Sequence, residues 1–317
     1  MKAIVYEEFG SPDVLELKEV EKPIPKDDEV LVKVHATSVN ALDMIFRSGA
    51  SLLFGMTKLM AGFNKPKHNI LGFDVSGEVE AVGQKITKFK KGDLIYACLR
   101  SPGANAEYVC VPEKLAAIKP ANMSHLEAAT TADTGGTALT GLRDVVTITE
   151  GQRVLIFGAS GGVGSFAVQI AKIFTNEVTG VCGTNAVDMV KSLGANAVID
   201  YKKEDFTKNG QTYDVIFDAV GRKVTSYEKC KNSLTENGIF VTVDPQSTMF
   251  RYMMNKKVRG YMGGINSEKL DYLRELIEAG KVKTFVDKVY PLSQVAEAHR
   301  YYESGKKKGK IGISVQE

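Results

Sequence analysis

The chain has 317 residues, 44% of them hydrophobic and 25% charged, with a formal charge of +3. This is the balance of a soluble globular protein of about two domains, and the charge is too small to point to nucleic acid. The four cysteines, Cys98, Cys110, Cys182 and Cys230, contain no C-x-x-C pair. Neither a disulfide framework nor a structural zinc lobe is indicated, and a reducing cytoplasm is expected. The opening MKAIVYEEF reads as a strand without a signal h-region, and no apolar run reaches membrane-spanning length.

Residues 1–120 read as short strands and turns. The runs 3–6, 14–20 and 29–36 are β-rich or alternate with period two, with Pro23 and Pro25 separating the last two. A short helical pattern covers 40–48, and 75–83 and 92–97 read as further strands. This spacing predicts a compact barrel-like domain. From Ala121 the texture becomes strand–helix alternation, with strands expected at 154–157, 177–182, 197–200, 214–217, 239–243 and 258–262 and helices at 185–193 and 224–234. Six strands with crossover helices predict an α/β, doubly wound parallel sheet over 121–264. The tail, 265–317, carries a helix at 269–279, a strand at 287–290, a helix at 292–304 and a strand at 311–315. It is expected to complete the first domain.

The first strand of the alternating region runs into Gly158-Ala159-Ser160-Gly161-Gly162-Val163-Gly164. Apolar residues then recur at helical spacing: Val163, Phe166, Ala167, Ile170 and Ala171. Strand, glycine turn and helix together form a pyrophosphate cradle, because glycine admits close backbone approach and a helix start presents free N–H groups. The literal G-x-G-x-x-G is absent, since Ala159 stands where its first glycine belongs. An acidic residue gripping an NAD ribose would lie at the tip of the second strand. That tip, Gly180-Val181-Cys182-Gly183-Thr184-Asn185, has no carboxylate. A carboxylate there would repel a 2′-phosphate, so NADPH is favoured. Thr184 and Asn185 either donate to that phosphate or cap the next helix, and one residue can do both.

These residues carry a resemblance. Gly151-Gln152, Leu155, Ala159-Ser160-Gly161-Gly162, Gly164, Gln169 and Lys172 fall at every fixed position of a signature. It is that of the zinc-free quinone oxidoreductase (zeta-crystallin-like) branch of the medium-chain dehydrogenase/reductase superfamily. The likeness extends to Ser38–Asp43 with Arg47-Ser48-Gly49, to Ile70–Gly77, to Asp218–Gly221 and to the closing Lys306–Ile311. It implies a GroES-like β-barrel catalytic domain, a Rossmann cofactor domain, a cleft between them, NADPH, and a homodimer paired through Rossmann edge strands. It places Asn40 at the nicotinamide, Ala219, Val220 and Gly221 beside it, Phe240 and Val241 in the cofactor set, and Tyr201 at the 2′-phosphate. Val187 stands where some members carry a phosphate-binding lysine.

The zinc alcohol dehydrogenases of that superfamily place Cys where this chain has Asn40 and His-Glu where it has Phe73-Asp74. An amide and a phenyl ring are poor zinc donors, so no metal is expected. The four histidines, His35, His68, His125 and His299, read as surface or structural. Without a Lewis acid the acceptor must already be electrophilic. The expected reaction is hydride transfer from NADPH to a small apolar quinone or α,β-unsaturated carbonyl. The alternatives are an enoyl-thioester reductase or a non-catalytic NADPH-binding structural protein of the same fold. Asp43, one helical turn from Asn40, is a candidate acid or a structural hydrogen-bonding residue, with water the preferred proton source. The Met-bearing stretches 52–63 and 245–254 are candidate lids over an apolar pocket, the first equally readable as a core helix. Cys182 reads as inert packing, and the lysines 306, 307, 308 and 310 as a solvated turn.

Overall fold

The structure, a computed structural model, describes residues 1–50, 61–221, 224–244, 255–261 and 264–316. The stretch 245–254, and all but 61–63 of 52–63, lie outside the described residues, as does position 262, the last of the strand expected at 258–262. The chain divides into two compact units: Met1–Asp133 with Ile265–Glu278 and Val286–Glu317, and Thr134–Gly264 with Ala279–Phe285.

In the first unit, β1 (Lys2–Val5) pairs with β2 (Glu16–Glu19). A second sheet contains β3 (Glu29–Val39), β4 (Asp74–Val82), β5 (Leu94–Cys98), β6 (Tyr108–Pro112) and β7 (Ala116–Ile118). Strand β3 is eleven residues long because alternate side chains, Val30, Val32 and Val34, fill one apolar core with Val75, Val79 and Ile95. Helix α1 (Ala41–Ser48) follows β3 directly and ends on Gly49 at φ 65°, the left-handed cap that glycine favours.

The second unit holds β8 (Arg153–Phe157), β9 (Glu177–Cys182), β10 (Ala197–Asp200), β11 (Tyr213–Asp218), β12 (Leu234–Thr242) and β13 (Val258–Gly260). All pair in parallel, in the order β10-β9-β8-β11-β12-β13. This is the doubly wound order, whose reversal beside β8 opens a crevice at the strands' carboxyl ends.

Helix α2 (His125–Leu139), for which the sequence offers no periodic signal, runs from the first unit into the second. It is buried nearly all round after its first turn, so apolar and polar faces do not alternate. The division between units therefore falls after Asp133 instead of near Ala121. Helix α3 (Gly162–Phe174) follows the glycine turn. Its Gln169 side chain donates to Lys283 O and accepts from Lys283 N, both at 2.9 Å, which ties Ala279–Phe285 to this unit. Helix α4 (Val187–Ser192) is shorter than expected because Thr184–Ala186 is a 3-10 turn. The helix expected over 224–234 contracts to α5 (Tyr227–Cys230), a second 3-10 turn and the start of β12.

The tail gives α6 (Ser267–Glu278), β14 (Val286–Pro291), α7 (Val295–Glu303) and β15 (Lys310–Ser314). Strand β15 pairs antiparallel with β3, Ile311 facing Val39. Ile311 and Ile313 join Phe46, Phe73 and Val295 in the first unit's other core. Among the described residues no helix is long and apolar enough to cross a membrane.

Candidate active site

The glycine turn is shaped by exclusion. Gly158 adopts φ 78°, and a Cβ there would stand 2.3 Å from Val220 Cγ2. A Cβ on Gly164 would stand 2.0 Å from Gly158 O, so the helix can sit this close only without a side chain. Ala159 needs no glycine: its methyl is fully buried, packed over Gly180 of β9, whose own Cβ would meet it at 3.1 Å. Gly161 N–H donates to Gly158 O at 2.9 Å and closes the turn. No side chain caps α3 and its first turn carries no acidic residue. Ser160, Gly161, Gly162 and Val163 are partly exposed. An uncapped helix start with a cradle that any Cβ would fill fits a dinucleotide pyrophosphate.

Beyond β9 the chain exposes Thr184 and Asn185. Gly183 faces Tyr201, and a Cβ on it would lie 3.3 Å from the phenol oxygen. Tyr201 N–H donates to Cys182 O at 3.1 Å, which fixes its backbone at this corner and leaves the ring exposed. Asp200, on the neighbouring strand end, is a carboxylate that sequence reasoning missed. Hydrogen bonds from Thr184 first, and the nearby lysines, hold it below the usual carboxylate range. The exposed Lys202 and Lys203 follow it. The Asp200 carboxylate thus engages the Thr184 hydroxyl at the β9 tip, and Lys203, 3.8 Å away, offsets its charge. The Cys182 thiol is buried and pushed up to about 11, chiefly by burial, so it acts as packing.

The turn after β11 meets the glycine turn. Asp218 Oδ1 accepts from Val220 N–H and Gly221 N–H, both at 3.0 Å, and Oδ2 accepts from Thr242 Oγ1 at 3.0 Å. Ala219 N–H donates to Phe157 O at 3.0 Å. Ala219, Val220 and Gly221 thus stand beside Gly158. Phe240 and Val241 do not: both are fully buried within β12, and the Phe240 ring packs edge-on against Tyr227. Their side chains belong to the core.

In the first unit a buried polar cluster forms where β3, β4 and β15 come together. Asp74 is fully buried, and its Oδ2 accepts from Ser38 Oγ at 2.5 Å, Asn40 Nδ2 at 2.9 Å and Lys310 Nζ at 3.4 Å. Its Oδ1 accepts from Asp133 N–H at 2.8 Å. Lys310 Nζ also donates to Asn40 Oδ1. Lys310 and Asn40 are each only 3% exposed. The reading of Lys310 as part of a solvated turn is therefore corrected: antiparallel pairing of β15 with β3 carries it inward beside Asn40. The buried carboxylate is satisfied on both oxygens and neutralised by an ammonium, the condition for burying charge.

Asp43 also lies fully buried. Its Oδ2 accepts from Asn40 N–H at 2.8 Å and Oδ1 from Gly72 N–H at 2.9 Å. Gly72 needs φ 94°, and a Cβ there would strike Asn105. Asp43 thus ties the start of α1 to the loop before β4. Burial above all raises its pKa to about 7, against the two N–H donors that lower it. The histidines sit apart from this cluster's ligands. His299 is buried against Arg47, while His35 and His125 stack at 4.3 Å, a pairing that sequence separation hides. Among the described residues no group of three His, Cys, Asp or Glu side chains is placed to hold a metal.

Residues 26–121 match the alcohol dehydrogenase GroES-like domain and residues 193–311 the zinc-binding dehydrogenase family. A 2-methylene-furan-3-one reductase of Solanum lycopersicum is 35% identical over 99% of this chain and 79% of its own. The chloroplastic NADPH-dependent alkenal/one oxidoreductase of Arabidopsis thaliana matches to the same extent. The quinone oxidoreductase structure from Coxiella burnetii superposes with a TM-score of 0.90 at 31% identity, covering 100% of this chain and 99% of that one. The chain belongs to the zinc-free quinone oxidoreductase branch of the medium-chain dehydrogenase/reductase superfamily. The cluster gives that membership a physical basis. Where the sequence comparison sets the thiolate, imidazole and carboxylate of zinc-dependent members, this quinone oxidoreductase relative carries the Asn40 amide, the Phe73 ring and the Asp74 carboxylate, with a lysine ammonium bound to the amide and the carboxylate.

Proposed function

We propose that the protein is an NADPH-dependent reductase that delivers hydride to a quinone or an α,β-unsaturated carbonyl without zinc. The observation that carries this reading is the Lys310 ammonium held between Asn40 and Asp74. A cation bonded into the fold gives no open coordination position with which to polarise a plain ketone or an alcohol. The acceptor must supply its own electron demand, as conjugated carbonyls do.

Gly158 to Gly164 would hold the pyrophosphate at the start of α3. Gly183, Thr184, Asn185 and Tyr201 would hold the 2′-phosphate, and Ala219, Val220 and Gly221 would flank the nicotinamide. Bound NADPH supplies the hydride. Asn40 is held buried with both ends of its amide engaged, and Asp43 positions it through its backbone N–H. Such preorganised groups need no rearrangement as charge develops on the acceptor. The names of the relatives, a furanone reductase and an alkenal/one oxidoreductase, accord with this substrate class.

We infer in addition a cytoplasmic homodimer. Four unpaired cysteines suit a reducing compartment, and β13 ends its sheet with a free edge among the described residues. Sedimentation of the purified protein tests the dimer. The function is tested by NADPH fluorescence with 9,10-phenanthrenequinone and a short enone, in the presence of a chelator. Oxidation that the chelator does not change is expected. NADPH binding with no oxidation across a broad panel of both classes sinks the reading.

A further inference from the structure

The β9 tip carries no acid of its own, but the fold brings it one from the next strand. β10 pairs in parallel with β9 and sets Asp200 opposite Cys182, the residue before Gly183 and Thr184. The turn after β10 holds Asp200 in place, its carbonyl accepting from Lys203 N–H and Glu204 N–H, both at 2.9 Å. The Asp200 side chain is only 10% exposed. Oδ1 accepts from Lys202 N–H at 3.1 Å. Oδ2 is buried and accepts no hydrogen bond, with Lys203 Nζ 3.8 Å away. The Thr184 hydroxyl is the neighbour that does most to keep this carboxylate ionised.

In a doubly wound sheet the adenosine ribose of a dinucleotide lies at the tip of the second strand, here β9. The two nicotinamide dinucleotides differ only there: NADH has a 2′-hydroxyl, NADPH a 2′-phosphate. A hydroxyl can donate to an acceptor, whereas a phosphate is an acceptor with close to two negative charges. The corner holds a fixed carboxylate with one oxygen still lacking a donor, which suits the hydroxyl and repels the phosphate. Thr184 adds to this. A hydroxyl has a single proton to give, and the proton turned to Asp200 is withheld from a phosphate, leaving lone pairs that a ribose hydroxyl can fill. Asn185, the Tyr201 hydroxyl and the exposed Lys202 and Lys203 pull the other way. We propose that Asp200 is a specificity-determining residue that restrains the preference for NADPH, so that the protein also takes NADH. The proposal rests on the placement of the 2′-phosphate given above and names the residue that opposes it.

The experiment compares wild type, Asp200→Asn, Asp200→Ala and, as a control for charge loss, the neighbouring exposed Glu204→Gln. The probes are AMP and adenosine 2′,5′-bisphosphate, titrated calorimetrically into the full chain. The ratio of their Kd values measures what the 2′-phosphate gains, and general damage to the pocket cancels from it. Asp200→Asn, which removes the charge and keeps the shape, should raise the preference for the bisphosphate about three- to tenfold. The gain should shrink in high salt. Asp200→Ala, which also releases the Thr184 proton, should raise it about tenfold or more. Glu204→Gln should stay within about twofold of wild type. Fluorescence titration should show wild type binding NADH as well as NADPH, with the two Asp200 variants tightening NADPH alone. No NADH binding by wild type at about 1 mM, or a bisphosphate preference that both Asp200 variants leave unchanged, overturns the proposal by itself. If every variant binds AMP and the bisphosphate equally, the 2′-phosphate does not lie at this corner, and that placement falls together with the proposal. Neither readout needs turnover, so an inactive protein would sink the reductase and leave this ratio standing.

Discussion

The glycine turn and the buried polar cluster solve the same problem, holding charge in place, by opposite means. The turn uses backbone: N–H groups at a helix start and missing side chains at Gly158 and Gly164. All of it lies within one short run of sequence. The cluster relies mainly on side chains, those of Ser38, Asn40, Asp74 and Lys310, with one backbone N–H from Asp133. The turn tolerates Ala159 because shape is what matters there. The cluster tolerates little, because each polar atom has a partner whose loss strands another.

The sharpest break between the two is expected at Lys310. Lys310→Met leaves the Asp74 carboxylate buried without its cation and should cost about 3–5 kcal/mol of folding stability, read as a lower urea midpoint. If stability barely changes, the ion pair does not hold the cluster together. Gly164→Val comes next. Its side chain would meet Gly158 O, and overpacking of this kind costs about 1–3 kcal/mol. Its distinguishing mark is loss of NADPH binding in a fluorescence titration, which Lys310→Met should leave nearly intact. A Gly164→Val protein that still binds NADPH normally would show that the turn is not the cradle.

Two smaller effects separate the groups around the cluster by pH. Asp43 has a folded pKa raised to about 7. Its contribution to stability is full below the usual carboxylate value and is lost as pH rises through about 7. His125, stacked on His35 and joined to Ser76, has its pKa lowered to about 4, mainly by burial. It stays neutral in the fold, so stability is lost as pH falls from the ordinary histidine value toward 4. Each group alone is worth at most about 1.4 kcal/mol per pH unit. The two slopes oppose each other between pH 4 and 6.5 and partly cancel in the wild type. Asp43→Asn should expose a steeper loss of stability on acidification, and His125→Gln a shallower one. Urea midpoints of the three proteins between pH 4 and 8 check both signs, and identical profiles would count against both shifts.

What could be read from the chain follows the same division. The parallel sheet, the glycine turn and the missing acid at the β9 tip are local patterns, because strand period, helix period and turn chemistry act over a few residues. Asn40 and Asp74 could be marked by position, but not their bond, since 34 residues separate them. Lys310 was hidden in a run of lysines. Only the pairing of Ile311 with Val39 turns it inward, and a lysine leading directly into the apolar Ile311–Ile313 strand was the available signal. Asp200 was missed because it belongs to the strand beside the one inspected. Helix α2 was missed because burial on nearly every side erases the periodicity that announces a surface helix.

The ammonium between Asn40 and Asp74 has a consequence beyond the reaction. A metal must be acquired, can be stripped by chelators, and can be displaced by a tighter-binding competitor. A lysine arrives with translation and is matched one to one with its carboxylate in every molecule made. The supply of trace elements then sets no limit on how much of the protein is assembled correctly. The charge at this corner is inherited with the polypeptide, in famine as in plenty.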